Sequence, residues 1–329
     1  MQIDFITVLI AVIALIVLAV PGYLIVKTKL VGEDTTSAFS ALVLYVCAPA
    51  QVFMGFQKEA YRADIGVNML IVAGITFLLH FVMIGLMYLF VRGKDDEAKK
   101  RAVRLSSVFG NAAYMGLPFL QILFNGTATY GEIIVYASVF ISVFNILTWT
   151  VGVYMITGDS KEVSFKKVAL HPVILAVVFG LLLFLTVKQP LVSTFAVGTP
   201  EHSLALNLMN SVDMIGNMVT PMAMFVIGMR LAKINLKQLF LDKWAYVVAL
   251  FKLVVISVIT IVVLMVLPLS EPVKYALFFL MSMPSAASSA LLAVRYGGDG
   301  DFASVSVLLS TVLSIATIPL MNLLFNALV

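Results

Sequence analysis

Charge is scarce in this 329-residue sequence: 12% of its residues are Asp, Glu, Lys or Arg, about half the share of a soluble domain. There is a single cysteine, Cys47, and it lies inside an apolar run, so neither a disulfide framework nor a cysteine metal site is available. The three histidines, His80, His171 and His202, are far apart and form no ligand pair. No polar stretch is long enough to fold as a separate domain, which excludes an ATPase module and leaves ion or substrate gradients as the energy source. No Asp-rich signature sits on an apolar run, and no Ser–His or Cys–His pair is close in sequence, so an intramembrane enzyme is not expected. What is abundant is apolar surface. At 62% hydrophobic residues the chain is an integral membrane protein, not a soluble enzyme, a nucleic-acid binder or a disordered chain.

A membrane helix needs about 20 mainly apolar residues. Ten such runs are readable, at 5–26, 36–57, 66–91, 102–124, 132–156, 171–187, 203–230, 244–267, 272–295 and 302–327. The first lacks a basic leader and is read as an uncleaved span. With both termini outside, sixteen Lys and Arg fall in inner loops, from Lys27 and Lys29 through Arg92, Lys94, Lys161, Arg230 and Lys237 to Arg295. Four, Lys58, Arg62, Lys188 and Lys274, fall outside. This asymmetry predicts a multi-pass protein of the cell membrane with both termini extracytoplasmic. The formal charge of +4 therefore reports orientation and not a nucleic-acid partner.

Ten spans divide into halves of five, 1–156 and 171–329, joined by a short cytoplasmic connector at 157–170. An odd number per half inverts the second, as in the inverted repeats of secondary transporters. Pro49 in span 2 is matched by Pro221 in span 7. Gly116-Leu117-Pro118 interrupts span 4, and Met283-Pro284 followed by Ser285-Ala286-Ala287-Ser288-Ser289 interrupts span 9. Interruptions survive in a membrane where they line a cavity or pack on protein, and paired interruptions point to a transport site. The second half-helices are expected to begin near Pro118 and near Pro284–Ser289, each presenting free N–H groups and a partial positive charge. Two such ends, with Asn111 and with Ser285, Ser288 and Ser289, make an anion site of Gly116, Pro118 and Pro284 backbone that needs no buried Lys or Arg.

Other polar residues within spans carry two readings each. Asp213 and Asn217 in span 7 are candidates for ion coupling or for an outer vestibule. His80 in span 3 is a proton relay or a packed histidine. Gln51 and Asn145 are pocket donors or interhelical contacts. Lys252 in span 8 is expected to snorkel to the cytoplasmic surface. Tyr45, Phe109 and Tyr114 are candidates to shape a cavity, and the run Lys94-Asp95-Asp96-Glu97 is expected to be a solvated cap on span 4.

The stretch Phe109-Gly110-Asn111-Ala112-Ala113-Tyr114-Met115-Gly116-Leu117-Pro118 resembles the span 4 signature of the auxin efflux carrier family, whose bacterial members are often described as malate permeases. Met283 to Ser289, followed by Ala293-Val294-Arg295-Tyr296-Gly297, resembles the span 9 signature. His171-Pro172 and the segment from Pro221 to Gly228 also sit where that family places a helix start and a Pro-to-Gly element. The resemblance covers essentially the whole chain. It implies an all-α fold of ten helices in two inverted five-helix repeats, similar to sodium/proton antiporters, with spans 4 and 9 crossing at their breaks beside the substrate. It further implies an elevator-like movement of spans 3–5 and 8–10 against a scaffold of spans 1, 2, 6 and 7, and a homodimer through that scaffold.

The function expected is secondary transport of organic anions, carboxylates such as malate or auxin-like acids, by alternating access. Coupling to protons or sodium is open, and no cofactor or metal is called for. The alternatives are a sodium or proton exchanger of related fold, which would want carboxylates near the crossing, and a membrane receptor or sensor for small acids.

Overall fold

The computed structural model describes residues 3–32, 35–92, 96–233 and 240–329, without the side chains of Phe165 and Lys167. Lys94, Asp95 and Lys237 lie outside the described residues. Among the described residues there is no β-strand, only one isolated bridge. Eight helices are long and apolar enough to cross a membrane: α1 (Phe5–Lys27), α2 (Thr35–Gly55), α3 (Ala63–Phe90), α6 (Tyr130–Thr157), α7 (Pro172–Thr194, α-helical to Val187 and, after a break at 188–190, 3-10 over Leu191–Thr194), α8 (Pro200–Lys233), α9 (Lys243–Val266) and α12 (Gly300–Leu328). The two remaining apolar runs are each a pair of shorter helices, α4 (Glu97–Val108) with α5 (Ala112–Phe124), and α10 (Glu271–Met281) with α11 (Ala287–Arg295).

Helix starts follow local chemistry. Asp4 accepts from Thr7 N–H at 2.9 Å, Thr199 from His202 N–H at 3.2 Å, Asp242 from Trp244 N–H at 3.0 Å and Asp299 from Phe302 N–H at 2.9 Å. Each satisfies a backbone donor that a first turn leaves free. Asp96 caps α4 through Ala98 N–H at 3.0 Å, as its place before the apolar run predicts. Inside the spans the hydroxyls of Thr76, Ser107, Ser138, Ser142, Thr148, Ser257 and Thr260 all donate to the carbonyl four residues back, so they cross the apolar layer already paired.

The breaks do not fall where proline alone would put them. The chain unwinds at Phe109–Asn111, and Pro118 lies within the helix that follows. The intervening turn, Ala112–Gly116, is π-helical, with Gly116 N–H reaching back to the Asn111 carbonyl. The wider turn leaves one acceptor without a helical donor, and Pro118, which has no N–H, follows it at no hydrogen-bond cost. Pro49 stands in the same relation to the π-turn Val43–Cys47. In the other pair the backbone leaves the helix at Ser282 and re-enters at Ala287, close to the expected position.

The two breaks cross each other. Asn111 N–H donates to the Pro284 carbonyl at 2.7 Å and Ala286 N–H to the Phe109 carbonyl at 2.9 Å, an antiparallel pairing centred on Gly110 and Ser285. The Ser285 hydroxyl donates to the Ser106 carbonyl at 2.7 Å, and its N–H to Ser310 Oγ at 3.1 Å. Backbone groups freed by unwinding are thus satisfied by the other break, as an apolar surrounding demands.

Two sets of loops gather at opposite ends. Lys99 pairs with Asp242 at 2.6 Å, and the Arg101 guanidinium donates to the Thr157 carbonyl, joining the first turns of α4 to the end of α6 and to the connector before α9. Lys58 pairs with Asp213 at 2.8 Å, Tyr61 N–H donates to the Lys188 carbonyl at 2.9 Å and Leu191 N–H to Gln57 Oε1 at 2.8 Å, joining the connector after α2 to Asp213 of α8 and to the C-terminal end of α7. Helix α1 bends at Leu18. Its first half packs on α12 and α5, its second on the second half of α8.

Candidate functional site

The crossing sorts helix ends by charge. Helices α4 and α10 end at the breaks, so their free carbonyls and partial negative charge collect there. Lys252 meets them. Its ammonium donates to the Met281 carbonyl at 2.7 Å, and the residue is 1% exposed. This corrects the snorkelling expectation. Gly110, which has no side chain, makes room for the lysine stem, and a cation at helix C-termini is stabilised where it lies.

The N-terminal ends of α5 and α11 open instead on a cavity of about 50 Å³. Asn111, Ala113 and Tyr114 from the first break and Ala286, Ala287 and Ser288 from the second line it. The other walls are Gln51 and its neighbours on α2, Asn145 and Trp149 on α6, and Val226 and Arg230 on α8. Three buried side-chain groups on this wall have no partner: Gln51 Nε2, Asn111 Nδ2 and Ser288 Oγ. Buried polar groups in folded proteins are nearly always hydrogen-bonded, so three orphans around one cavity call for a hydrogen-bonding guest there, a ligand or ordered water. Two are amide donors and the third is a hydroxyl able to donate. Arg230, half-buried, is the one charged residue lining the cavity among the described residues. The unpaired donors and the guanidinium suit an acceptor-rich, negatively charged guest.

The remaining residues singled out from sequence are placed as follows. Ser289 is buried and unpartnered but does not line this cavity, and the Ser285 hydroxyl is occupied by the Ser106 carbonyl. Pro284 contributes its carbonyl to the pairing of the breaks. Gly116 packs against Leu280 and Met283. Asn145 lines the cavity while its amide donates to the Ile141 carbonyl at 2.8 Å. Tyr114 is a cavity wall; Phe109 lies behind it, its ring against His80 and Phe144. His80 is buried outside the cavity, its Nδ1 2.7 Å from the Thr76 carbonyl and its ring among Phe109, Phe140 and Phe144. Asp213, Asn217 and Pro118 line a different cavity, of about 310 Å³, with Lys58 and Tyr130. There Asp213 holds Lys58 and accepts from the Asn217 amide at 3.1 Å. Arg230 was missed, because a cation at the end of an apolar run reads as an orientation marker.

A multi-pass helical membrane protein whose broken helices cross beside a mainly apolar cavity with a few polar groups on its wall is built as a transporter. The chain belongs to the membrane transport protein family, the auxin efflux carrier family, whose model matches residues 7–168 and 158–322. Among curated proteins it is 26% identical over 312 residues to one named "Putative malonate transporter" from Rhizobium meliloti, covering 90% of this chain and 89% of that one. An uncharacterized transporter from Methanothermobacter thermautotrophicus is 22% identical, covering 94% and 95% of the two chains. One from Methanocaldococcus jannaschii is 21% identical, covering 94% and 96%. The protein is a transporter, not an enzyme.

Proposed function

We propose that this chain is a secondary carrier of small organic anions, bound as carboxylates at the crossing and moved by alternating access. The observation that carries the reading is the convergence of unpaired Gln51, Asn111 and Ser288 donors and the Arg230 guanidinium on one cavity between two helix N-termini. A carboxylate there accepts from all of them without a coordinated metal. The name of the Rhizobium relative, malonate, is that of a small dicarboxylate and fits this reading. No Asp or Glu lines the cavity among the described residues, so nothing there favours the exchanger alternative.

The ten-span arrangement belongs to the same reading. The opposite-end loop contacts agree with an alternation in which α4–α5 and α10–α11 each cross once. The lysine-rich end is then cytoplasmic, in the plasma membrane. The cavity lies between α2, α7 and α8 on one side and the crossing with α6 on the other. That placement supports movement of the crossing group against a scaffold, with the bend of α1 at Leu18 joining the two.

The test is uptake of radiolabelled malonate, malate, succinate and indole-3-acetate into proteoliposomes, at two pH values and with or without sodium. A hydrogen bond to a charged group contributes about 1.5–3 kcal/mol. Arg230→Gln and Asn111→Ala should therefore each weaken the half-saturating concentration roughly 10-fold to 150-fold. Malonamide, which is uncharged, should not compete. Flat uptake of every acid, or equal competition by the diamide, refutes the proposal.

A further inference from the structure

A second cavity, of about 360 Å³, lies on the other side of Trp149. It is lined by Tyr45, Trp149, Lys166, His171, Arg295 and Tyr296, with Glu162 as its one carboxylate. Trp149 lines both cavities and is 9% exposed, so its side chain forms part of the wall between them. His171 faces the indole at 4.9 Å between ring centres and Tyr45 at 5.7 Å.

His171 gives this cavity its chemistry. It is the N-cap of α7, and its Nδ1 accepts from Val173 N–H at 3.3 Å. A neutral imidazole that accepts at Nδ1 carries its proton on Nε2, which makes Nε2 a donor. The residue is 8% exposed, and Nε2 has no partner. A buried donor left unpaired beside a cavity again points to an acceptor-bearing guest. Lys166 and Arg295 against Glu162 leave the lining one positive charge in excess with His171 neutral. The aromatic rings offer apolar walls for a short carbon chain.

We propose that this cavity is a second carboxylate site, an antechamber where a small organic acid docks on His171, Arg295 and Lys166 before passing the Trp149 indole to the crossing. The inference deepens the carrier reading and rests on it. It makes Trp149 the barrier between the two sites, and it places the antechamber at the end of the molecule that carries the basic connectors.

Equilibrium dialysis of radiolabelled malonate and succinate against the full-length protein in detergent tests it. The variants are His171→Asn, which keeps an acceptor for Val173 N–H, Arg295→Gln and Asn111→Ala, each checked for an unchanged melting profile. Trp149 fluorescence, isolated by Trp244→Phe because the chain has two tryptophans, gives an independent readout. The expected result is two sites per chain in the parent, one in His171→Asn, one in Asn111→Ala and none in the double variant. Arg295→Gln should weaken the antechamber site alone. Quenching of Trp149 by malonate should persist in Asn111→Ala. One parental site, abolished by Asn111→Ala and untouched by His171→Asn, overturns the antechamber and leaves the carrier standing. One parental site with the reverse pattern overturns the crossing as the binding site instead. Absence of saturable binding of both acids overturns both.

Discussion

A methyl group added at Gly110 would lie 2.5 Å from Lys252 Cε, 2.8 Å from Lys252 Nζ and 3.3 Å from the Met283 carbonyl oxygen. Something must move. A lysine stem ordinarily swings aside, but this one is 1% exposed and its ammonium is held by the Met281 carbonyl at 2.7 Å. If the lysine yields, a charge-assisted hydrogen bond of about 1.5–3 kcal/mol is lost. If the breaks yield, the Asn111–Pro284 and Ala286–Phe109 backbone bonds stretch, and overpacking costs about 1–3 kcal/mol. Gly110→Ala should thus lower the melting temperature in detergent by roughly 2–5 °C and slow malonate uptake. The decisive comparison is the same substitution in a Lys252→Ala background, where the obstructing atoms are gone. There its cost should fall below about 0.5 kcal/mol, a coupling typical of residues in direct contact. If Gly110→Ala costs the same with and without the lysine, or costs nothing in the parent, the packing argument for the crossing is wrong.

Two further outcomes follow from the geometry. A Cβ at Gly228 would fall 1.9 Å from the Ala19 carbonyl oxygen and 2.7 Å from Tyr23 N, and one at Gly22 2.1 Å from the Phe225 carbonyl oxygen. These are backbone atoms that no rotamer change can clear, so Gly228→Ala should destabilise by at least the upper end of about 1–3 kcal/mol; an unchanged melting curve contradicts the close α1–α8 approach. The Lys58–Asp213 pair is partly solvated, with side chains 24% and 30% exposed, and such pairs contribute about 0–1 kcal/mol. Asp213→Asn should leave uptake and its proton or sodium dependence within about twofold of the parent, whereas loss of ion dependence would make Asp213 the coupling residue.

The apolar runs were legible because hydrophobic length is a local signal, and most helix ends lie within a few residues of the runs read from sequence. The pairing of spans 4 and 9 was legible from proline, glycine and small polar residues clustered in each half. The position of the first break was not. Sequence marks Pro118, but the π-turn at Ala112–Gly116 absorbs that proline and moves the unwinding to Gly110, and no periodicity in the sequence announces a π-turn. Lys252 was misread for a different reason. Its burial depends on a glycine more than a hundred residues away, and a contact between distant segments leaves no local trace.

Arg230 shows how a correct rule can hide a site residue. It lies in the last turn of α8, where a cation reads as an orientation marker, and in the alternation it is one. Helical side chains, however, lean toward the helix N-terminus. An arginine near the C-terminal end of α8 therefore reaches back toward the middle of the span, where it lines the cavity with Asn111 and Ser288. The same directional reasoning explains why the buried Lys252 and the half-buried Arg230 do not compete. Lys252 sits where α4 and α10 end and their carbonyls gather. Arg230 shares its cavity with the N-terminal ends of α5 and α11. One cation neutralises the negative pole of the crossing, so the positive pole is left to the guest, and the second cation adds to it. In the proposed carrier a carboxylate preference would then arise from backbone direction first and from side chains second, which is why proline, glycine, asparagine and serine pointed to this region before any charged residue did.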